Sequence, residues 1–149
     1  MKIVVQRVKQ ASVSVEGKIV GQIGAGLVLL IGIHQDDQES DADWLAHKIV
    51  NLRIFSDENQ KMNHSIKDSQ GAVLCISQFT LFADYKKGNR PSFITAAPPS
   101  IALPLLEYFQ LKLKDSGLLV EKGQFGADMQ VTLTNDGPVT IVLDSFTKS

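Results

Sequence analysis

One cysteine and three histidines are all that 149 residues offer of the side chains that most often ligate metals or act as nucleophile and base. Cys75 cannot form an internal disulfide. Its place inside the apolar run Ala72-Val73-Leu74-Cys75-Ile76 reads as a buried hydrophobe, with a catalytic thiol as the alternative. This cysteine usage fits a reducing, cytoplasmic setting. His34, His47 and His64 do not pair at metal-ligand spacing and have no partner cysteines, so no metal and no cofactor is expected. His34 ends a strand close to Asp36 and Asp37. It reads as a strand-end histidine near solvent, and a general-base role is the alternative. There is no Gly-x-Ser-x-Gly elbow. The carboxylates are scattered, and Asp36, Asp37, Asp41 and Asp43 read as loop and helix-start charges that complement the helix dipole. Long apolar runs are lacking too. The longest, residues 27–33, is far too short to span a bilayer, and Met1-Lys2-Ile3-Val4-Val5 runs straight into polar Gln6-Arg7, unlike a signal peptide. Formal net charge is −1. Uniform attraction to nucleic acid is therefore not expected, DNA is not expected as a partner, and any RNA contact must come from a local patch.

The length suits one domain, residues 1–149, which buries roughly 70% of its unfolded surface. Residues 2–8, 11–15 and 19–23 read as strands, with Glu16-Gly17-Lys18 as a turn. Gly24-Ala25-Gly26 precedes a strand instead of opening a helix and lacks a third glycine at the required place, so it is a turn and not a dinucleotide fingerprint. Residues 27–33 form a strand buried on both faces. Ser40 caps a helix over residues 41–52, whose one face carries Trp44, Leu45, Lys48, Ile49 and Leu52. A short strand at 54–55 and a hairpin loop at 56–63 follow. The next strand covers 72–79, and 81–83 extend it. A long loop, 85–99, leads to a second helix capped by Ser100, with Pro104 near its first turn and Gly117 as its stop. Residues 118–122 form a short strand. Residues 129–134 and 139–144 alternate as two strands joined by a turn at Gly137-Pro138. The class is α+β: antiparallel or mixed sheets forming a β-barrel-like body or a sandwich, with the two main helices packed outside.

Ser77, Gln78 and Thr80 place a hydroxyl, an amide and a second hydroxyl at the end of a buried strand. Such a site can donate hydrogen bonds but holds no strong acid or base. Singly, each is an ordinary polar strand end. Lys86, Lys87 and Arg90 form a compact basic cluster in the adjoining long loop, either a solvated loop or a phosphate grip.

Together these segments resemble the D-aminoacyl-tRNA deacylases, also called D-tyrosyl-tRNA deacylases, over nearly the whole chain. The resemblance rests on the opening Met1-Lys2-Ile3-Val4-Val5-Gln6-Arg7-Val8, on Ser77-Gln78-Phe79-Thr80-Leu81 and on Lys87-Gly88-Asn89-Arg90-Pro91-Ser92-Phe93. It rests further on Phe125-Gly126-Ala127-Asp128-Met129 and Gly137-Pro138-Val139-Thr140. It implies hydrolysis of the ester joining a D-amino acid, or mischarged glycine, to the 3′ end of tRNA. It implies a homodimer of β-barrel-like subunits with the site at their interface, and a Gly137-Pro138 pair held cis and inserted into the partner's pocket to reject L-amino acids. Ser77, Gln78, Phe79 and Thr80 are its implied catalytic segment. Arg7, Leu81, Ala96, Ala97, Phe125 and Met129 are implied pocket residues, with Arg7 bracing the wedge from the partner subunit and Lys86, Lys87 and Arg90 gripping tRNA phosphates. Core packing is the alternative for Phe79 and Met129. With no base in the motif, Thr80 is a poor nucleophile. Direct attack by water, aided by the ribose 2′-hydroxyl, is the expected mechanism, and covalent catalysis by Thr80 is its rival.

Overall fold

A computed structural model describes residues 1–148. Its organising element is β1 (Lys2–Val15), which is long enough to pair along both edges. On one edge its first half pairs antiparallel with β3 (Gly26–Gly32) and its second half with β2 (Lys18–Ile23). β3 continues in parallel to β6 (Ala72–Ser77), and β6 to β7 (Leu119–Lys122). The other edge of β1 pairs antiparallel with β8 (Gln130–Asp144) over nearly its full length. Two short strands, β4 (Phe55–Ser56) and β5 (Met62–His64), form a separate hairpin. The main sheet is therefore mixed, and it curls until β2 meets β7. A Cβ built on Gly21 would stand 2.6 Å from the Lys122 carbonyl oxygen, so only glycine lets the barrel come so near to closing.

Side-chain alternation along the strands divides the apolar residues between two cores. Ile3 and Val5 of β1, Leu27, Leu29 and Ile31 of β3, and Val73 and Cys75 of β6 face the helices. There they pack on Leu45 and Ile49 of α1 (Glu39–Asn51) and on Leu105, Phe109 and Leu113 of α3 (Pro99–Asp115). Val8, Val13, Val28, Leu74 and Ile76 fill the barrel interior. This is why β3 and β6 read as continuous apolar runs: both of their faces are covered. The two helices also touch through the Tyr108 hydroxyl, which donates to Asp43 Oδ1 at 2.8 Å. The Met1 ammonium is buried between Asp37 Oδ1 at 2.6 Å and Ser145 Oγ at 2.7 Å, tying β1 to the segments before α1 and after β8.

Several expectations are corrected. Gly137-Pro138 is no hairpin turn. Both flanks pair with β1 in the same sense: Thr140 lies opposite Gln6 and Asn135 opposite Val8, and the intervening residues bulge from one continuous strand. The Gly137–Pro138 peptide is cis. The chain after Ser77 does not continue as a strand but coils into a 3₁₀ turn, Phe79–Phe82, which brings Phe82 into cover against Gly32 and edge-on to His34. α1 starts one residue before Ser40, because Asp41 Oδ2 accepts from the Gln38 N–H at 2.8 Å and fixes Gln38 as the cap. α3 starts at Pro99, whose missing N–H costs nothing at a first helical position. Pro104 therefore lies inside the helix and not in its first turn. A one-turn helix, α2 (Ile66–Ser69), capped by Ser65, was not expected.

Candidate active site

The parallel strands β3 and β6 end side by side, and the chain leaves β6 through the 3₁₀ turn. Above them lie the loop 84–98 and the segment 123–129. Between these elements is a cavity of about 560 Å³. Ile31, Ile33 and Ile76 form its floor, Ser77, Gln78 and Phe79 one wall, and Phe93, Ala96 and Ala97 a second. Phe125 to Met129 close the third side. The long loop is held in place by backbone bonds from Gln35 N–H to Thr95 O, 3.0 Å, and from Ala97 N–H to Ile33 O, 2.8 Å. That anchoring brings Ala96 and Ala97 against the strand ends.

Phe79 is 54% exposed and meets Phe93 edge-to-face, with ring centroids 5.1 Å apart. It is a cavity wall and not core. Met129 is half-buried and packs on the barrel interior while lining the cavity, so it serves both as packing and as wall. The Gln78 side-chain amide donates to Thr80 Oγ1 in a very short contact. The hydrogen bonds of the 3₁₀ turn begin with Leu81 N–H to Gln78 O, 3.2 Å, so the turn itself does not use the N–H groups of Phe79 and Thr80.

Seven of the expected residues converge here: Ser77, Gln78, Phe79, Ala96, Ala97, Phe125 and Met129. Thr80 and Leu81 lie on the same 3₁₀ turn but do not line the cavity. Lys86, Lys87 and Arg90 stand exposed at the far end of the loop. Gly137 and Pro138 are exposed on the β8 bulge, away from the cavity. Arg7 is buried and grips that bulge within its own chain: its Nε donates to Asp136 O at 3.1 Å and its Nη1 to Ile54 O at 2.6 Å. Within one chain these contacts make Arg7 the brace of its own bulge.

Phe93 and Asp128 complete the site without having been assigned a role from sequence. Both stand in the motifs that carry the family resemblance, which was the available signal. Among the described residues Asp128 is the only ionisable side chain lining the cavity. Among the described residues no three His, Cys, Asp or Glu side chains converge to hold a metal. Cys75 lies beneath the site, fully buried, and desolvation pushes its thiol up to about 12. A thiol-specific colour reagent should accordingly leave the native protein unmodified at pH 8 and label one thiol per chain on unfolding. Labelling of the folded protein on the scale of minutes would restore the catalytic-thiol reading.

Comparison with known proteins gives one consistent result. The D-Tyr-tRNA(Tyr) deacylase family model matches residues 4–144. A D-aminoacyl-tRNA deacylase of Bacillus cytotoxicus is 57% identical over 145 residues, 97% of this chain and 99% of that protein. One from Exiguobacterium sibiricum is 52% identical over 144 residues, with the same coverage. A solved structure described as c-Myc DNA unwinding element binding protein superposes with a TM-score of 0.91 at 44% identity, over 97% of this chain and 98% of its own. A second, a probable eukaryotic D-amino acid tRNA deacylase, shares the fold, with a TM-score of 0.83 at 15% identity over 95% and 97%. The strand-end amide and hydroxyls, the aromatic walls and the near-complete match place this chain in the D-Tyr-tRNA(Tyr) deacylase family.

Proposed function

We propose that the protein hydrolyses the ester of D-aminoacyl-tRNA, and of glycine mischarged on tRNA, in the cytoplasm, while sparing L-aminoacyl-tRNA. The observation that carries this reading is a largely apolar cavity with Ser77 and Gln78 on one wall, beside the 3₁₀ turn, and, among the described residues, no histidine or cysteine in its lining. Ester hydrolysis needs a nucleophile, stabilisation of the tetrahedral oxyanion and a route for the proton. The Phe79 N–H, unused by the turn and on the cavity wall, is assigned to the oxyanion, with the Thr80 N–H next to it on the same turn as its partner. Ser77 and Gln78 orient the ester. Phe125, Met129 and Phe79 supply apolar faces for the terminal adenosine and the aminoacyl group. Thr80 Oγ1 accepts from an amide, which cannot take up its proton. The hydroxyl therefore positions Gln78, and water attacks the ester with help from the ribose 2′-hydroxyl.

Rejection of L-substrates is assigned to the exposed Gly137-Pro138 bulge, entering the cavity of a second copy of the chain. Two observations support a homodimer. The outer edge of β8 is unpaired among the described residues, although such edges are usually blunted or covered, and Val142 on it is 63% exposed. A backbone wedge filling the place of an L side chain leaves a D side chain facing outward, so many D-amino acids are accepted. Lys86, Lys87 and Arg90 then meet tRNA phosphates.

The test is deacylation of D-tyrosyl-tRNA and L-tyrosyl-tRNA side by side. Loss of the D ester alone supports the whole reading. Loss of neither, with tRNA still bound, leaves a binding module. A hydrolase of small esters would be indifferent to salt, whereas a tRNA enzyme weakens as salt rises. Thr80→Ala should lower kcat on D-tyrosyl-tRNA by about tenfold, the worth of one positioning hydrogen bond. Complete inactivation would instead make Thr80 the covalent nucleophile.

A further inference from the structure

A second cavity of about 350 Å³ lies behind Phe125, sharing both Phe125 and Ser77 with the first. One side is α3, which contributes Glu107 and, one turn on, Gln110. The other side is the end of β7, with Lys122 and Gln124. Gln110 is only 7% exposed, a polar side chain on a helix face otherwise made of Leu105, Leu106, Phe109 and Leu113. The β7 end is fixed by Gly123 N–H to Cys75 O at 3.0 Å. The pocket thus combines an aromatic wall and apolar Val20, Leu103 and Leu106 with two amides, a carboxylate and an ammonium, and it adjoins the proposed ester site through Ser77 and Phe125.

We propose that this cavity binds the penultimate nucleotide of the tRNA tail, whose terminal adenosine and ester occupy the first. The proposal rests on the deacylase reading above and extends it. Every tRNA tail ends in two cytidines and an adenosine, so the nucleotide next to the ester is a cytidine. Single-stranded bases are recognised by stacking on aromatic rings and by hydrogen bonds to their edges. A cytosine offers an exocyclic amine that a carboxylate accepts, the role given to Glu107. It also offers a ring nitrogen and a carbonyl that amides can donate to, the role given to Gln110 and Gln124. Lys122 then meets the phosphate joining the two nucleotides. A side chain of the amino acid is the less fitting occupant. The enzyme is proposed to accept many D-residues, and a fixed set of one carboxylate, two amides and one ammonium would discriminate among them.

The proposal separates two substrates. D-tyrosyl-tRNA carries the penultimate nucleotide and its phosphate. The small ester 2′(3′)-O-(D-tyrosyl)adenosine carries neither. Lys122→Ala and Gln124→Ala change exposed residues and leave the fold intact, and Gln110→Leu removes the inner amide. Each variant should raise KM for D-tyrosyl-tRNA by about tenfold with kcat kept, as expected for loss of one hydrogen bond or charge contact that binds ground and transition states alike. Each should leave the kinetics on D-tyrosyl-adenosine unchanged. Replacing the penultimate cytidine by a purine should weaken the parent protein and have little further effect on Gln110→Leu. Equal changes on both substrates, or an unchanged KM for tRNA in all three variants, would overturn the proposal while the deacylase reading stands. A parent protein that cleaves neither ester would remove both.

Discussion

Gly26→Ala is expected to leave the chain largely unfolded, at a cost of about 4 kcal/mol or more, a large part of the roughly 5–15 kcal/mol that holds a domain of this size together. A Cβ on Gly26 would lie 1.8 Å from the carbonyl oxygen of Ala72 and 2.7 Å from its nitrogen. Neither atom can yield. Ala72 N–H is bonded to Ala25 O at 3.1 Å, and the parallel register of β3 and β6 starts at this pair. On its other side Gly26 faces Val8 of β1, so retreat from Ala72 drives the chain into a second strand. Separating β3 from β6 would open both cores at once, since the two strands contribute to each. Gly24→Ala is the control. Nothing lies within 4 Å of a Cβ there, and its effect should stay within about 0.5 kcal/mol. Urea unfolding of the two variants beside the parent decides it. A Gly26→Ala protein as stable as Gly24→Ala would mean that the strands do not approach this closely.

Arg7→Ala carries the second large effect, and it acts on stability and selectivity together. The guanidinium is buried, bonds the carbonyls of Ile54 and Asp136 and lies 3.6 Å from the Asp136 carboxylate. Removing it leaves two carbonyls without their donor and a void where the side chain lay. A loss of about 3 kcal/mol is expected, because hydrogen bonds to charged groups are each worth about 1.5–3 kcal/mol and the orphaned partners add their own cost. The same guanidinium comes within 3.3 Å of the place where a Cβ would stand on Gly137, a residue with φ of 127°. Without it the bulge carrying Gly137 and Pro138 loses its anchor. Hydrolysis of L-tyrosyl-tRNA should then rise by about tenfold or more relative to the D ester, the equivalent of about 1.4 kcal/mol of lost discrimination. Arg7→Lys keeps the charge but cannot hold two separate carbonyls in a fixed fork, and should fall between the two. An Arg7→Ala protein that is destabilised but still rejects the L ester would separate the bulge from selectivity.

Sequence alone determined what depends on near neighbours. The continuous apolar run over 27–33 announced a strand covered on both faces, and that over 72–76 a buried strand. The Glu16-Gly17 pair marked a tight turn, and both residues indeed have positive φ. Gly117, at φ of 91°, stops α3 as expected. The inertness of Cys75 followed from the apolar residues beside it. That the segment Ser77 to Thr80 itself carries no acid or base was legible as well, whereas the carboxylate that Asp128 brings to the same cavity was not.

What tertiary structure decided are the features that compare segments distant in the chain. Alternation over 129–134 and 139–144 looks the same whether the strands face each other across a turn or lie end to end along β1. Only the register with Gln6 and Val8 distinguishes these arrangements. The 3₁₀ turn at Phe79 follows from the space beside Gly32 that Phe82 fills, and no local pattern reports that space. Ile31, Ser77, Phe93 and Phe125 meet in one cavity because two parallel strands end together and a loop is bonded across them. Arg7, near the start of the chain, lies against Asp136, near its end. Side-chain period and turn chemistry are local quantities, whereas a cavity or a close approach is set by which strands pair and in what register.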